Sequence, residues 1–166
     1  MADEISTRIA VSSDADAIRS IYNREVLEST VTFDMVDRSL EEQVAWIADH
    51  SGSYPAIVAF DVSGHVLGFA SLTAYRPRPA YSTTVENSVY VDRDHRGQGV
   101  AHTLMTELIT MAADHGFHTI IARIVGDHTA SIALHTKMGF ELIGREVEVG
   151  RKFGKWLDVV LMQRML

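Results

Sequence analysis

One stretch decides the fold of this chain: Arg96-Gly97-Gln98-Gly99-Val100-Ala101, between a strand-like run at 88–91 and a helix-like run at 100–115. Two glycines and an alanine let the backbone bend tightly and approach a ligand closely. The first N–H groups of the helix that follows have no partners, and the helix dipole makes that end positive. A strand, a glycine-rich turn and a helix start together predict an anion site suited to a pyrophosphate.

Two common pyrophosphate motifs do not match this turn. A P-loop requires Gly-Lys followed by Ser or Thr, which the chain lacks. A dinucleotide fingerprint requires a third glycine or alanine at position 102, where the chain has His102. On spacing alone, two glycines that merely serve a turn are an equally good interpretation.

Composition limits the possible partners. The 166 residues are most simply one domain, 1–166, with 46% hydrophobic residues and a net charge of −7. An acidic chain without a basic run predicts no nucleic-acid partner, and no apolar run approaches the ~18 residues of a membrane span. The absence of cysteine excludes disulfides, thiolate metal sites and a cysteine-acyl intermediate. The acidic start, Met1-Ala2-Asp3-Glu4, lacks the apolar region of a signal peptide, so we expect a cytoplasmic protein.

Hydrophobic periodicity predicts the element order β-α-α-β-β-β-α-β-α-β-β. This order favours an α/β sandwich with one mixed central β-sheet flanked by about four helices. Asp14 is predicted to cap the first helix, and Ser39-Leu40-Glu41-Glu42 reads as a capping box for the second. The predicted helices span about 14–28, 39–49, 100–115 and 129–138; the predicted strands span about 5–10, 56–61, 66–75, 83–91, 119–125, 141–149 and 157–165.

The segment Arg96-x-x-Gly99-x-Ala101 fits the pattern [QR]-x-x-G-x-[GA], and with this element order the chain resembles the GNAT fold of acyl-CoA-dependent N-acetyltransferases. A second motif, Ser131-x-x-Leu134-His135-x-x-x-Gly139-Phe140, is similar to the family's segment on the helix after the central strand. Within the family the chain most resembles phosphinothricin and methionine sulfoximine/sulfone N-acetyltransferases. That likeness is carried by Ile21-Tyr22-Asn23, Ser29-Thr30-Val31-Thr32-Phe33, Ala80-Tyr81, Thr84-Val85-Glu86-x-Ser88-Val89-Tyr90-Val91 and Gly150-Arg151-Lys152-Phe153-Gly154-Lys155-Trp156-Leu157-Asp158.

The resemblance implies acetyl-CoA as co-substrate, the α-amine of a small amino-acid-like molecule as acceptor, and a homodimer. Two other interpretations stay open. One is a GNAT enzyme for a different amine, such as a polyamine, an aminoglycoside or a protein N-terminus. The other is a CoA-binding module without turnover. The sequence does not reveal the physiological substrate.

Glu86 is the predicted general base. Acetyl transfer to an amine needs a base for the ammonium proton and an acid for the departing thiolate. Glu86 is the one charged residue of strand 83–91, and partial burial there would raise its pKa. Spacing alone favours an exposed edge charge, but the sulfoximine-type enzymes have a glutamate base at this position. Since no cysteine or recognisable Ser-His pair is present, direct attack of the amine on the thioester is the simplest mechanism, with Glu86 acting directly or through a water.

His135 is the second predicted catalytic residue. Many GNAT enzymes have a tyrosine here, near the thioester sulfur, and the phosphinothricin type has a histidine. An imidazole can hydrogen-bond the sulfur or donate a proton near neutral pH. A purely structural role is the alternative for a lone helical histidine.

The resemblance also implies the acetyl-CoA contacts. One position departs from the family, because His128 stands where an asparagine usually contacts the pantetheine arm. A neutral histidine still offers one donor and one acceptor. The predicted cofactor-binding residues are Val89, Val91, Arg96, Gly97, Gln98, Gly99, Val100, Ala101, His128 and Ser131.

The predicted substrate pocket rests on two arginines and three aromatic residues. Arg76 and Arg78 lie in a proline-stiffened loop, and a guanidinium fork suits a carboxylate or phosphinate; a solvated loop is the alternative. Phe33, Tyr81 and Tyr90 are predicted to wall a pocket for a short side chain, although aromatic residues at such spacing also form cores.

Two further groups of residues are assigned no chemistry. The resemblance implies that the basic cluster Arg151, Lys152 and Lys155 lies near the active site or a subunit contact; a solvated hairpin is the alternative, and no catalytic role is assigned to the cluster. The eight histidines show no His-x-x-x-His or comparable metal spacing, so no metal is predicted.

Overall fold

A seven-stranded mixed sheet forms the centre of the chain in a computed structural model, which describes residues 4–166. Its strands are β1 (Ser6–Ile9), β2 (Ala56–Phe60), β3 (Val66–Ala74), β4 (Thr84–Val91), β5 (Thr119–Val125), β6 (Glu141–Lys152) and β7 (Lys155–Met165). The helices are α1 (Ala15–Glu28), α2 (Leu40–Asp49), α3 (Val100–Asp114) and α4 (Thr129–Lys137). The expectation that the start of the chain is not a signal peptide concerns mainly Met1 to Asp3, which lie outside the described residues. None of the helices described within 4–166 is long and apolar enough to cross a bilayer.

The sheet has one parallel pair at its centre. Its strand order is β1-β2-β3-β4-β5-β7-β6, and only β4 and β5 run parallel. These two strands pair only through residues 84–86 and 119–121. Beyond that point β4 continues against β3 and β5 continues against β7. The sheet is therefore split by a cleft between the carboxyl-terminal halves of β4 and β5.

Helices cover both faces of the sheet. On one face, Leu104 and Leu108 of α3 belong to a core cluster with Leu72, Val85 and Ile120 of the strands. On the other face, α1 and α2 pack through a second cluster that contains Ile18, Val26 and Ile47 together with Val58 and Phe69. The predicted element order and the sandwich of four helices around one mixed sheet are confirmed.

One predicted helix cap is confirmed and the other is wrong. Ser39 Oγ accepts from the Glu42 N–H at 3.1 Å, and Glu42 accepts from the Ser39 N–H at 2.7 Å, which completes the capping box. Asp14 makes no side-chain cap on α1. Its carboxylate instead accepts two bonds from Arg8, at 2.6 and 2.8 Å, and one from the Val11 N–H at 2.8 Å. The arginine and the preceding loop compete for the oxygens that the helix would have used.

The last hairpin is longer than predicted. β6 and β7 continue to Lys152 and from Lys155, joined by the two-residue turn Phe153-Gly154. Both turn residues have positive φ, 51° and 73°, as the tight turns that match strand twist require. The sequence prediction ended these strands early because Gly150 and the basic residues after it do not favour a strand.

Candidate active site

The cleft between β4 and β5 is a cavity of about 520 Å³. Its walls come from residues 87–91 of β4, residues 122–125 of β5, the turn that begins at Arg96, and the first two turns of α4. Because β4 has no strand partner on this side beyond Glu86, its backbone N–H and C=O groups face the cleft. An extended, amide-containing ligand can pair with such an edge as a strand would.

The glycine-rich turn stands at the outer end of this cleft. Gly97 and Gly99 have φ of 76° and 89°, so both positions favour glycine over any other residue. A Cβ atom built on either glycine would meet no atom within 4 Å, so the space above the turn is open. Gly99 precedes α3 and supplies no side-chain cap, which leaves the first N–H groups of the helix available to an anion.

Most of the predicted cofactor residues meet in this cleft. Gln98 does not line it, because its side-chain amide turns away to the Asp94 carbonyl at 3.4 Å. His95, His102 and Lys137 also line the cleft and were not predicted. The predicted residues that the structure brings together here are Val89, Val91, Arg96, Gly97, Gly99, Val100, Ala101, His128 and Ser131.

Arg96 is held by a buried carboxylate that the prediction missed. Glu25 of α1 is only 3% exposed, and its Oε1 accepts from Arg93 Nε at 2.8 Å and from Arg96 at 2.9 Å. Burial alone would raise the pKa of Glu25, but the hydrogen bonds and the charges of the arginines hold it below its usual value. A charge on the apolar face of α1 was the signal available in the sequence. This anchor keeps the Arg96 side chain at the base of the turn.

Glu86 lies at the inner end of the cleft, where the strands separate. It is the last β4 residue in register with β5, opposite Ile121. Its neighbours Val85 and Asn87 are buried toward α3, so its half-buried carboxylate points to the opposite face of the sheet. Burial raises the pKa of Glu86, and the charge of Arg123 on β5 opposes this rise. Glu86 itself does not line the cavity, although Asn87 and Ser88 beside it do.

His135 lies on the α3 side, buried to 2% exposure. Its Nδ1 donates to the Ser131 carbonyl at 2.8 Å, and its Nε2 lies 2.9 Å from Asn87 Nδ2. A carbonyl only accepts, so the ring proton sits on Nδ1, and Nε2 accepts from the amide. Burial lowers the pKa of His135, which keeps the ring neutral. In this state neither ring nitrogen has a free proton to give.

Asn87 is a site residue that the prediction missed. Its Nδ2 lies between His135 and the Met105 sulfur, and its buried Oδ1 has no hydrogen-bond partner among the described residues. Asn87 is also one of the residues that line the cavity. Because β4 and β5 diverge here, a group in the gap can reach Glu86 from one face and Asn87 from the other.

Of the predicted substrate residues, Tyr90 lies in the cleft. Its ring stacks on Phe69 at 5.3 Å and meets Tyr22 edge-on at 5.2 Å. Burial raises the pKa of Tyr90 to about 12, so the phenol stays protonated. Its ring therefore forms a fixed apolar wall on the α1 side of β4.

The other predicted substrate residues do not line the cavity. Arg76 lies over the rings of Tyr75 and Tyr81, at 5.0 and 5.8 Å, in the loop that leads into β4. Arg78 is exposed in the same loop. Phe33 covers Gly150, where an added Cβ atom would come within 2.4 Å of the ring.

The interpretation of the basic cluster as a wholly solvated hairpin does not hold for Lys152. It is 2% exposed, and its Nζ donates to the Thr32 carbonyl at 2.9 Å, whereas Arg151 and Lys155 are exposed. Burial lowers the pKa of Lys152, and the charges of Asp34 and Glu25 oppose this. The lysine thus ties the end of β6 to the loop that carries Phe33.

A cleft between split strands, with a glycine-rich turn at one end of it, suits an extended ligand that carries a pyrophosphate. The family described as "Acetyltransferase (GNAT) domain" matches residues 7–161, and the chain belongs to this family.

Named relatives cover nearly the whole chain. It is 41% identical to the L-methionine sulfoximine/L-methionine sulfone acetyltransferase of Pseudomonas paraeruginosa, over 95% of this chain and 92% of that protein. It is 37% identical to the phosphinothricin N-acetyltransferase of Streptomyces coelicolor, over 98% and 97% of the two chains. A crystal structure of a GNAT superfamily phosphinothricin acetyltransferase from Sinorhizobium meliloti in complex with AcCoA superposes with a TM-score of 0.94, at 39% identity, and covers 100% of this chain and 89% of that one.

Proposed function

We propose that the chain transfers the acetyl group of acetyl-CoA to the α-amino group of a small amino-acid-like substrate of the phosphinothricin, methionine sulfoximine or methionine sulfone type. One observation carries the proposal: the half-buried Glu86, with its raised pKa, lies where β4 and β5 separate, at the inner end of the cleft that begins at the glycine-rich turn. The names of the relatives support the same substrate class.

The described residues fit acetyl-CoA. The uncapped start of α3 and the open turn at Gly97 and Gly99 suit a pyrophosphate. The free edge of β4, at residues 87–91, suits an amide-containing arm, and His128 and Ser131 line the facing wall. Acetyl-CoA, when bound, supplies a thioester that an amine can attack directly.

Glu86 is the proposed general base, acting directly or through a water. A substrate ammonium must lose a proton before its nitrogen can act as a nucleophile. Burial brings the pKa of Glu86 closer to that of the ammonium group, which makes it a stronger base. Arg123, held by Glu146 at 3.1 and 2.9 Å, moderates this effect without neutralising the carboxylate.

His135 and Asn87 are proposed to serve the departing sulfur together. In the present hydrogen-bond arrangement the Asn87 amide donates to His135 Nε2 and to the Met105 sulfur, so it must release one of these bonds before it can donate to a developing thiolate. After proton uptake, the Nε2–H of the imidazolium can donate to the departing sulfur only once the Asn87 Nδ2 group, which now donates to Nε2, has turned away. The histidine therefore acts through the amide in one protonation state and on the sulfur in the other.

The substrate's acid group is proposed to bind at Arg76 and Arg78. The Arg76 guanidinium lies 5.0 and 5.8 Å from the ring centres of Tyr75 and Tyr81, and its planar fork suits a carboxylate. Phe33, Tyr81 and Tyr90 remain the proposed walls for a compact side chain.

A homodimer is part of the proposal. β6 is a 12-residue edge strand, and apolar side chains on the β6–β7 hairpin are unusually exposed: Leu142 68%, Val147 71% and Trp156 60%. Exposed apolar edges of this kind are normally covered by a partner. Light scattering after size exclusion should give twice the 18.4 kDa chain mass, and Val147→Lys should shift the protein toward the monomer.

The experiment that tests the function is release of free thiol. Methionine sulfone with acetyl-CoA should yield stoichiometric CoA and N-acetylmethionine sulfone. Thiol release with a polyamine but not with the sulfone would favour the alternative amine. CoA binding without thiol release from any amine would favour a module without turnover. We also propose the cytoplasm as the location and residues 1–166 as one domain, in keeping with the single sheet that runs from β1 to β7.

A further inference from the structure

We propose that His65, Asp92 and His95 form a binding site for one divalent transition-metal ion, such as Zn²⁺. Each residue offers one ligand atom, and these three atoms lie within 4.8 Å of one another. The cluster stands outside the catalytic fork, at the end of β4 that leads toward the glycine-rich turn.

The backbone fixes two neighbouring segments at this place. His65 directly precedes β3, while Asp92 and His95 flank a single turn of 3-10 helix after β4. The Asp92 N–H donates to the Leu67 carbonyl at 2.9 Å, and the His95 N–H donates to the Asp92 carbonyl at 3.0 Å. The three side chains therefore start from a rigid frame.

Some ligand atoms of these side chains are not used in hydrogen bonds. Asp92 uses Oδ1 to accept from the Asp94 N–H at 3.0 Å, and its Oδ2 lies 4.0 Å from His95 Nδ1. That Nδ1 is buried and has no hydrogen-bond partner within residues 4–166. The centres of the His65 and His95 rings lie 5.5 Å apart, and His65 is exposed. A buried ring nitrogen without a partner is costly, and a metal ion would satisfy it.

The donor set selects the kind of ion. Two imidazoles and one carboxylate suit Zn²⁺, Ni²⁺, Co²⁺ or Cu²⁺, whereas Mg²⁺ and Ca²⁺ prefer oxygen ligands alone. Zinc–ligand distances of about 2.1 Å place tetrahedral ligand atoms about 3.4 Å apart, so the cluster must contract by roughly 1 Å. Rotation of His65 can supply that movement, and the fourth position stays open to water.

Such an ion would fasten the start of β3 to the segment that leads into Arg96 and the glycine-rich turn. The sequence predicted no metal because Asp92-x-x-His95 supplies only two ligands, and the third comes from a distant turn. Only the pairing of β3 with β4 brings His65 beside them.

The site is tested by calorimetric titration of the metal-free protein with ZnCl₂. One ion should bind per chain. Loss of an outer-shell partner alone costs about 10- to 100-fold in metal affinity, so His65→Asn and His95→Asn should lose at least that. His118→Asn is the matched control, since His118 is exposed and remote from the cluster in the sheet, and its affinity should equal that of the parent. Asp92→Asn keeps the oxygen that caps the 3-10 turn and should weaken binding without unfolding that turn.

A thermal-shift assay gives a second measure. Zn²⁺ and Ni²⁺ should raise the melting temperature of the parent and of His118→Asn, Mg²⁺ should not, and the rise should vanish in His65→Asn. Circular dichroism before metal addition establishes that each variant is folded. Equal Zn²⁺ affinity in the parent, His65→Asn and His95→Asn, or no saturable binding to the parent, would overturn the proposal.

Discussion

Asn87 Nδ2 lies 2.9 Å from His135 Nε2, across the interface between β4 and α4. On the other side of the ring, the protonated Nδ1 of His135 donates a hydrogen bond to the Ser131 carbonyl. Two partners, one an acceptor only and one a donor, thus fix the tautomer of a buried histidine. The charge state of His135 is therefore coupled to the orientation of an amide that lines the cleft.

This coupling predicts how stability depends on pH. The pKa of His135 is lower in the folded chain than its ordinary value of 6.5, mainly through burial. Between those two values the unfolded chain binds more protons, so the free energy of unfolding is highest above pH 6.5 and falls as the pH drops below it. His135→Gln should flatten this slope in urea titrations between about pH 7.5 and 5.

His128 contributes a slope of the same sign, since burial also lowers its pKa, so the His135→Gln profile should be flatter but not flat. A parent protein whose stability is constant from pH 7.5 to 5 would contradict a neutral buried His135.

Glu86→Gln should lower kcat/KM by about 100- to 10,000-fold at neutral pH, the usual contribution of a general base. The amide keeps the shape of the side chain but cannot take a proton. The loss should shrink as the pH rises, because more of the amine is then already deprotonated. Glu107→Gln, on the exposed face of α3, is the matched control and should keep full activity. Turnover of Glu86→Gln close to the parent at every pH would place the base elsewhere.

Gly99→Val should weaken CoA binding strongly, as measured by calorimetry. The valine would need a φ of 89°, and its side chain would stand in the space that is open above the turn. Gly52→Val is the matched control, because Gly52 also has positive φ, 61°, and open space around it, but lies in the loop before β2. Both variants should lose stability through backbone strain, roughly 1–2 kcal/mol each. Only Gly99→Val should lose affinity for CoA, and equal affinities would argue against this turn as the pyrophosphate site.

Methionine sulfone should be preferred to its carboxamide by roughly 10- to 150-fold in kcat/KM. A lost charge-assisted hydrogen bond costs about 1.5–3 kcal/mol, and about 1.4 kcal/mol is a factor of ten. Arg76→Lys should reduce this preference, because lysine lacks the planar fork that can bind a carboxylate through two hydrogen bonds. Arg24→Lys, on the exposed side of α1, should not. Equal kcat/KM for the acid and the amide would remove Arg76 and Arg78 from the substrate site.

The sequence predicted the element order because each element carries its own period and its own stop signal. Gly116 and Gly139, both with positive φ, stand just after α3 and α4, where glycine commonly ends a helix. Helix ends and strand periods are local properties, and local patterns were enough to predict them. The position of Glu86 in β4 followed from the same patterns, but its partial burial did not, because spacing alone favours an exposed edge charge.

Properties that depend on register were not predicted. Asn87 and His135 are 48 residues apart, and nothing in either segment announces their contact. Lys152 resembles Arg151 and Lys155 in sequence, but it alone of the three is buried, and its partner is the carbonyl of Thr32, far away in the chain. Such pairings arise only when the whole sheet is assembled.

The two halves of the sheet are joined at its centre by three facing residue pairs and no more. Because the pairing of β4 with β5 is so short, the centre is the mechanically weakest part of the sheet. The amide hydrogens of residues 87–91 on the cleft side have no strand partner to protect them from exchange. A ligand that pairs with this edge of β4 supplies the missing backbone hydrogen bonds. The bound acetyl donor would then make the backbone hydrogen bonds that the chain itself leaves unmade at the centre of the sheet. At a concentration 100 times its dissociation constant, that ligand would add about 2.7 kcal/mol to the stability of the fold.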